Sequence, residues 1–418
     1  MSIQQSWVDV DVNSDFSIYN IPFGIYKTAN EFIGAGSAIG QYVIDLDYLH
    51  DKAYFKELEL PDTFFAQSTL NNFIALGRKK TSAVRQRIIQ LFSTNNRELQ
   101  DHKEHRNACL IPIKEVEMLM PVRVPNYTDF YSSIEHATNV GTMFRDPENA
   151  LFPNWKHLPV GYHGRVSSIR VSGIDIKRPK GQTMAPGSAA PILGPTKRLD
   201  FELEIAFITC KETILGSSIS TAEAEDHVFG FVLFNDWSAR DVQVWEYVPL
   251  GPFLAKNFAS SVSPWIVTLD ALADFRTAGP TQNPAVLPYL AYEGPKNFDI
   301  NLEVSIEPEG TKPKIVSKSN FKYMYWNICQ QLAHHTINGC NIEIGDMFAS
   351  GTISGPTPES LGSMLEIAWK GTKPITMTDG TTRTFIEDGD TVTMKGYAKK
   401  DGKRVGFGEV RAKILPTE

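Results

Sequence analysis

The chain has 418 residues, 42% hydrophobic and 21% charged, with a formal charge of −7 at pH 7. That make-up belongs to a folded globular protein and excludes intrinsic disorder, collagen-like repeats and a small disulfide-stapled scaffold. A chain this long buries roughly three quarters of the surface it exposes when unfolded, enough for two hydrophobic cores.

A sequence pI near 5.8 argues against a nucleic-acid partner, since such surfaces carry a basic stripe. The tightest basic cluster, Lys177, Arg178 and Lys180, is interrupted by Pro179 and reads as a solvated loop. Cys109, Cys210, Cys329 and Cys340 lie far apart with no C-x-x-C pair, which predicts reduced thiols acting as small buried hydrophobes. The first residues lack the basic and apolar regions of an export signal. The apolar run Val228–Phe234 is far shorter than the roughly 18 residues of a spanning helix. These features predict a cytoplasmic protein with no membrane partner.

In chain order, residues 1–45 read as short strands and turns, with Phe16-Ser-Ile-Tyr-Asn and Pro22-Phe-Gly-Ile-Tyr as compact apolar runs. Gly34-Ala-Gly-Ser-Ala-Ile-Gly has the spacing G-x-G-x-x-x-G, not that of a dinucleotide loop, and is expected to be a plain turn. From about Asp45 to Arg106 the pattern turns helical, with Val84, Ile88, Ile89, Leu91 and Phe92 recurring at helix spacing. A domain boundary is expected near residues 115–125, where Pro121 and Pro125 fall. Phe201–Ile208, Val228–Phe234, Pro264–Leu269, Ile300–Ile306 and Thr391–Gly396 read as strands, which predicts an all-β sandwich or roll. One helix is expected over Phe321–Asn338, stopped by Gly339. His334 and His335 on it diverge by about 100°, so packing or hydrogen bonding is favoured over ligation of one metal.

Chemistry gathers on carboxylates. Within an alternating strand, Glu202 and Glu204 share one face, roughly 7 Å apart; a solvated polar face is the plainer reading of that pair alone. Asp236 follows the apolar strand Val228–Phe234, and Asp129 is flanked by aromatics in Asn126-Tyr-Thr-Asp-Phe-Tyr. A carboxylate at the end of a buried strand is costly unless paired or coordinated. Four such oxygen donors, with no Cys or His close by, suit Ca²⁺ or Mg²⁺ rather than zinc. Arg240, Gln243 and Tyr247 follow at i, i+3 and i+7 and share a face if that stretch is helical; Arg240 could equally pair with Asp241 or Glu246. Lys256 lies in a Pro/Gly-rich loop with Ser260 four residues on. His136 and Arg145 follow Asp129. Gly345-Asp-Met-Phe-Ala-Ser-Gly-Thr-Ile-Ser-Gly-Pro offers close backbone approach and the Thr352 hydroxyl, and Glu366 sits between apolar Leu365 and Ile367. No G-x-S-x-G elbow is present.

These residues, in this order, resemble the fumarylacetoacetate hydrolase family. The matching stretches include Tyr127-Thr-Asp-Phe-Tyr-Ser-Ser-Ile-Glu-His-Ala, Pro159-Val-Gly-Tyr-His-Gly-Arg, Leu199-Asp-Phe-Glu-Leu-Glu, Phe234-Asn-Asp-Trp-Ser-Ala-Arg-Asp-Val-Gln and Gly351-Thr-Ile-Ser-Gly-Pro. Ser14-Asp-Phe-Ser-Ile-Tyr-Asn-Ile-Pro-Phe-Gly extends the likeness to the N-terminal region, so it covers nearly the whole chain.

The resemblance implies a mainly β protein: an SH3-like barrel domain over residues 1–118, then a mixed β-roll catalytic domain over 119–418, assembled as a homodimer. It implies hydrolysis of a C–C bond in a dicarboxylate β-diketone, giving fumarate and acetoacetate at the end of tyrosine and phenylalanine catabolism. Asp129, Glu202, Glu204 and Asp236 would hold catalytic Ca²⁺ or Mg²⁺. His136 would activate water, oriented by Glu366, while Arg240, Gln243 and Lys256 would stabilise developing negative charge. Tyr131, Arg145, Tyr162, Gln243, Tyr247 and Thr352 would contact substrate. Lys256 and Ser260, where the family commonly has threonine, would help hold a second, structural Mg²⁺ beside Asp236. The alternatives are a related oxo-acid hydrolase, decarboxylase or isomerase of the same superfamily, and a catalytically silent member of the fold.

Overall fold

The computed structural model describes residues 5–417. Its N-terminal part is built on five antiparallel strands: Phe23–Thr28 (β1), Ile33–Ile39 (β2), Tyr42–Asp45 (β3), Leu110–Pro112 (β4) and Val116–Leu119 (β5). They pair in the order β4-β3-β2-β1-β5 and curl into a half-barrel. Of the glycine run expected to be a turn, Gly34 to Ile39 lie in strand β2, and only Gly40, at φ 58°, is in the turn to β3. Gly36 pairs with Gly24 across the ladder, and a Cβ on Gly36 would meet Val43 at 2.6 Å, so its glycines serve close packing within the sheet.

The region read as broadly helical is divided into Leu46–Asp51 (α1), Asn71–Ile74 (α2), Gly77–Phe92 (α3) and Lys103–Cys109 (α4). Ala53 and Glu59 adopt positive φ of 62° and 49° and turn the chain out of helix between α1 and α2. Helix α3 follows its sequence pattern: Val84, Ile88, Leu91 and Phe92 are fully buried. Arg85, on the same helix, is buried too and donates to the Asn20 carbonyl at 2.9 Å and to that of Tyr19.

Beside four two-stranded sheets, the principal remaining strands form two layers. They are Tyr127–Phe130 (β6), Gly161–His163 (β7), Ile169–Val171 (β8), Ile176–Lys177 (β9), Leu203–Thr209 (β10), Val228–Asn235 (β11), Ser260–Val262 (β12), Asn301–Glu307 (β13), Lys314–Asn320 (β14), Met347–Ala349 (β15), Thr391–Lys400 (β16) and Lys403–Leu415 (β17). The first sheet runs β7-β6-β15-β10-β11-β12-β8, antiparallel except where β15 meets β6 and β12 meets β8. The second runs β14-β13-β16-β17-β9. Between the sheets pack Ile205 and Phe207 of β10, Phe231 and Leu233 of β11, and Val304, Met394 and Val410 of the second sheet.

The opposite face of β10 and β11 is also covered. Ala206, Ile208, Val232 and Phe234 join Phe23, Phe73 and other N-terminal residues in a second core. A strand buried on both faces has no polar alternation to show, which is why Val228–Phe234 reads as an unbroken apolar run.

Three expectations shift in detail. The strand expected from Phe201 begins at Leu203, leaving Glu202 in an isolated bridge to Ser363. Of Pro264–Leu269 only Val267–Thr268 pairs as strand. The long helix over 321–338 is a 3₁₀ turn, Phe321–Tyr323, followed by a separate helix at Ile328–Thr336, because Asn327 starts a new one: its side chain accepts from the Cys329 and Gln330 amides in a capping box. Cys109, Cys210 and Cys329 are free and buried as expected, whereas Cys340 is half-buried. Among the described residues, no helix is long and apolar enough to cross a membrane.

Candidate active site

The site lies where strands of the first sheet end. Asp129 is on β6, opposite Ala349 of β15 on one side and Tyr162 of β7 on the other. Glu204 lies on β10 with Glu202 just ahead of it, and Asp236 follows the last residue of β11. Asn235 ties two of these segments together by accepting from the Glu202 amide at 3.1 Å. One carboxylate oxygen from each of the four acids lies within 4.8 Å of the others, and all four residues are buried.

Such a cluster cannot stay fully ionised by itself. Burial and the neighbouring acids push the Asp129 and Glu204 carboxyls well above their ordinary range. Glu202 moves the other way: burial opposes its charge, but the cations Lys256 and Arg240 outweigh that and hold it well below. Lys256 Nζ lies 2.6 Å from Glu202 and 2.8 Å from Asp236, and Arg240 Nη1 lies 2.7 Å from Glu202. Asp236 also accepts from Ser260 Oγ at 2.9 Å and from the Tyr162 hydroxyl at 3.0 Å.

What the protein does not satisfy is informative. Asp129 Oδ1 and Glu204 Oε1 are buried without any hydrogen-bond partner. Two orphaned carboxyl oxygens in an all-oxygen cluster fit a hard divalent cation, whose charge would restore their ionised form. The side chain of Lys256 is not a donor to such an ion: its ammonium is spent on two carboxylates and has no free lone pair. Ser260 keeps an oxygen, at present donating to Asp236.

His136 is the third residue of helix α5, Ile134–Phe144, whose Ser133 cap accepts from the His136 amide at 3.2 Å. Its Nδ1 is 2.7 Å from Glu366 Oε2, which leaves Nε2 as the available nitrogen. Glu366 rides on a short helix, α8, at Met364–Ile367; α6, Arg240–Glu246, and α7, Ile328–Thr336, precede it in the chain. Its carboxylate accepts from Asn139 Nδ2 at 2.9 Å, from Ser363 Oγ at 2.9 Å, and from Ser354 Oγ at 3.0 and 2.9 Å to its two oxygens. Burial opposes its charge, yet His136 and these donors hold the Glu366 carboxyl below its ordinary value.

A cavity of about 510 Å³ brings most of the expected residues together: Asp129, Glu202, His136, Arg240, Gln243 and Lys256 line it. Tyr131, Arg145, Tyr162, Tyr247 and Thr352 complete the expected set along its wall. Arg145 donates to the Ala150 carbonyl at 3.2 Å and lies 4.0 Å over the Phe152 ring. Thr352 Oγ1 is buried with no partner, and Tyr247 stands half-exposed at the rim. Glu366 stays behind His136, and Glu204, Asp236 and Ser260 do not line the cavity. A second cavity of about 550 Å³ behind α5 and α8 is lined by Asn139, Glu366, Trp369 and Lys373 but reaches none of the four acids.

Helix α7 does not enter the site. His334 pairs with the Tyr289 hydroxyl at 2.9 Å and His335 with Thr128 Oγ1 at 3.2 Å, so the two rings diverge to separate partners. Sequence reasoning passed over Asp200, Asn139, Ser354 and Ser363. Only Ser363, three residues before Glu366 at a helix start, carries a recognisable local signal.

Fold and site together define a C–C hydrolase scaffold of one family. Residues 126–415 match the family model described as Fumarylacetoacetate (FAA) hydrolase C-terminal and residues 19–121 that of Fumarylacetoacetase N-terminal; the chain belongs to the fumarylacetoacetate hydrolase family. It is 52% identical to a fumarylacetoacetase of Dictyostelium discoideum, covering 100% of this chain and 99% of that one. To the human fumarylacetoacetase it is 49% identical, over 98% of this chain and 99% of that one. Among solved structures, a fumarylacetoacetate hydrolase from Exiguobacterium antarcticum shares the fold at a TM-score of 0.54 and 16% identity, covering 95% of this chain and 100% of that one.

Proposed function

We propose that this chain hydrolyses the C–C bond of 4-fumarylacetoacetate to fumarate and acetoacetate, the last step of tyrosine and phenylalanine breakdown. The observation that carries this reading is the meeting on one cavity of His136, backed by Glu366, with Asp129 and Glu202 of the acidic cluster. Full-length relatives about half identical to this chain bear the name of that activity and support it.

Asp129, Glu202, Glu204 and Asp236 would hold a divalent cation, Ca²⁺ or Mg²⁺. When bound, such an ion supplies Lewis acidity toward the 1,3-dicarbonyl. The residues do the rest. His136 Nε2 takes a proton from the attacking water, and the water oxygen adds to the carbonyl carbon on the fumaryl side. Glu366 keeps Nδ1 protonated and stabilises the imidazolium. Arg240, Gln243 and Lys256 face the oxygen on which charge develops. The C–C bond then breaks with its electron pair leaving on acetoacetate as an enolate, which is protonated on carbon.

Arg145 suits a substrate carboxylate, since a guanidinium makes strong charge-assisted bonds to one. Tyr131, Tyr162, Gln243, Tyr247 and Thr352 would complete the contacts. The structural Mg²⁺ beside Asp236 would draw on Ser260 Oγ and on Lys256 only through its main chain. We place the domain division at residues 118 and 119, the protein in the cytoplasm, and its assembly as a homodimer. Exposed Val244, Trp245, Val248, Leu250 and Phe253 near the cavity mouth offer an apolar face for that assembly.

The test is loss of the conjugated-dione absorbance of fumarylacetoacetate on adding purified protein, before and after chelation and metal add-back. Rapid, metal-restorable loss with fumarate and acetoacetate as products is expected. Absence of turnover by folded, metal-loaded protein would overturn the reading.

A further inference from the structure

Arg240 reaches the site as a fork whose nitrogens have different fates. Its Nε lies 2.8 Å from Asp200 Oδ2, and its Nη1 contacts Glu202 at 2.7 Å and Gln243 Oε1 at 3.3 Å. Its Nη2 is buried without a partner. A planar guanidinium is oriented once two of its nitrogens are held, so the direction in which Nη2 points follows from the other two.

Asp200 holds more than Arg240. Its Oδ1 accepts from the Met364 amide at 2.7 Å, and its Oδ2 also accepts from the Leu365 amide at 3.0 Å. Those are the first two residues of α8, the helix that carries Glu366. Asp200 is fully buried, so no water competes for these bonds. One carboxylate therefore spans the two chemical halves of the site, the cation on α6 and the helix behind His136.

We propose that Asp200 is a positioning residue for the hydrolysis: it fixes Arg240 so that Nη2 is presented to the developing oxyanion, in register with the His136–Glu366 pair. The proposal rests on the hydrolase reading above. Without Asp200 the Arg240 fork loses the partner of Nε, and the nearest remaining carboxylate is Glu202. Turning toward Glu202 with two nitrogens rotates the guanidinium out of its present orientation in the cavity wall. Asp200 touches neither substrate nor metal ligand and acts only through Arg240 and α8.

A mere cap on α8 would predict something different, and a double-mutant cycle separates the two. Steady-state turnover of fumarylacetoacetate is measured for the full chain, Asp200→Asn, Arg240→Ala and the double variant, with thermal melts alongside. Asn is nearly isosteric and keeps one oxygen for α8 while facing Arg240 with an N–H₂ group. Loss of an oxyanion donor typically costs on the order of 10²–10³ in kcat, so Arg240→Ala is expected to fall by that much and Asp200→Asn by at least about tenfold. Added to Arg240→Ala, Asp200→Asn is expected to cost little more.

Losses that multiply in the double variant would overturn the positioning role and leave a purely structural one. Wild-type kcat in Arg240→Ala would remove Arg240 itself from the chemistry, a distinct result that also ends the proposal. Should Asp200→Asn fail to fold, Arg240→Lys gives a second reading. Lysine keeps the charge but has no Nε–H, so kcat near that of Arg240→Ala is expected, and near-normal kcat would sink the idea.

Discussion

A Cβ on Gly351 would lie 2.3 Å from the carbonyl oxygen of Phe130. The backbone around Gly351 therefore runs against the residue that follows Asp129, closer than any side chain allows. From there the Gly351 amide donates to Glu204 Oε2 at 3.1 Å, the bond that steadies one side of the acidic cluster. The sequence pointed to close approach in this glycine-rich stretch, and Gly351 closely approaches another strand end.

Gly351→Ala is accordingly expected to be severe. Gly351 has φ +77°, in the left-handed region, and the new methyl would collide with backbone rather than with a movable side chain. Together these cost on the order of 2–4 kcal/mol. Urea unfolding followed by circular dichroism measures it, and an unchanged midpoint would contradict the argument.

His136→Ala removes the base but none of the four acids. Loss of general-base catalysis is expected to reduce kcat by about 10²–10⁴-fold. Fold, by circular dichroism, and Mg²⁺ affinity, by calorimetry, should stay close to those of the parent. Near-normal kcat would take His136 out of its assigned role.

Asp236→Ala withdraws one of four anionic oxygens and leaves Lys256 with Glu202 alone. Affinity for Ca²⁺ and Mg²⁺ should fall, because such ions are held by ligand charge and number. Calorimetry that returned the parent stoichiometry and affinity would exclude Asp236 from the ligand set.

His335 makes stability depend on pH on the acid side. Burial, with the nearby His163 and His334 rings, lowers its pKa from 6.5 to about 4. The folded state thus holds His335 neutral where an unfolded chain would bind a proton, so stability is full above about pH 6.5. It declines as pH falls toward 4, by on the order of 2–3 kcal/mol. His335→Gln should flatten that part of the profile in denaturation midpoints measured between pH 7 and 4; an unaltered slope would refute it.

Much of this molecule is legible locally. The apolar face of α3 follows helix spacing residue by residue, and β11 declares itself as a buried strand through its unbroken apolar run. Long motifs such as Phe234-Asn-Asp-Trp-Ser-Ala-Arg-Asp-Val-Gln carry the family resemblance in the chain itself. Errors fell where tertiary contacts overrule local pattern. The residues 321–338 carry a helical apolar spacing throughout, yet Asn327 restarts the chain with its own capping box. The glycines of 34–40 suggest a turn, yet Gly36 lies in a strand and lets Tyr26 and Val43 close over it.

Read along the chain, the residues show which types are present to do the chemistry: two acids in one alternating strand, a third after an apolar strand, a fourth among aromatics, a lone histidine, and an arginine that shares a face with Gln243 if its stretch is helical. Their convergence arises from the folded sheet. Asp129, Glu204 and Asp236 come together because β15 pairs with both β6 and β10 while β11 flanks β10, and that register is a property of the assembled sheet. The same holds for Asp200. Its neighbours in the chain mark it as one more polar residue before a strand, while its partners on α6 and α8 arrive only through folding. Local pattern encodes which face a residue takes; it does not encode who meets it there.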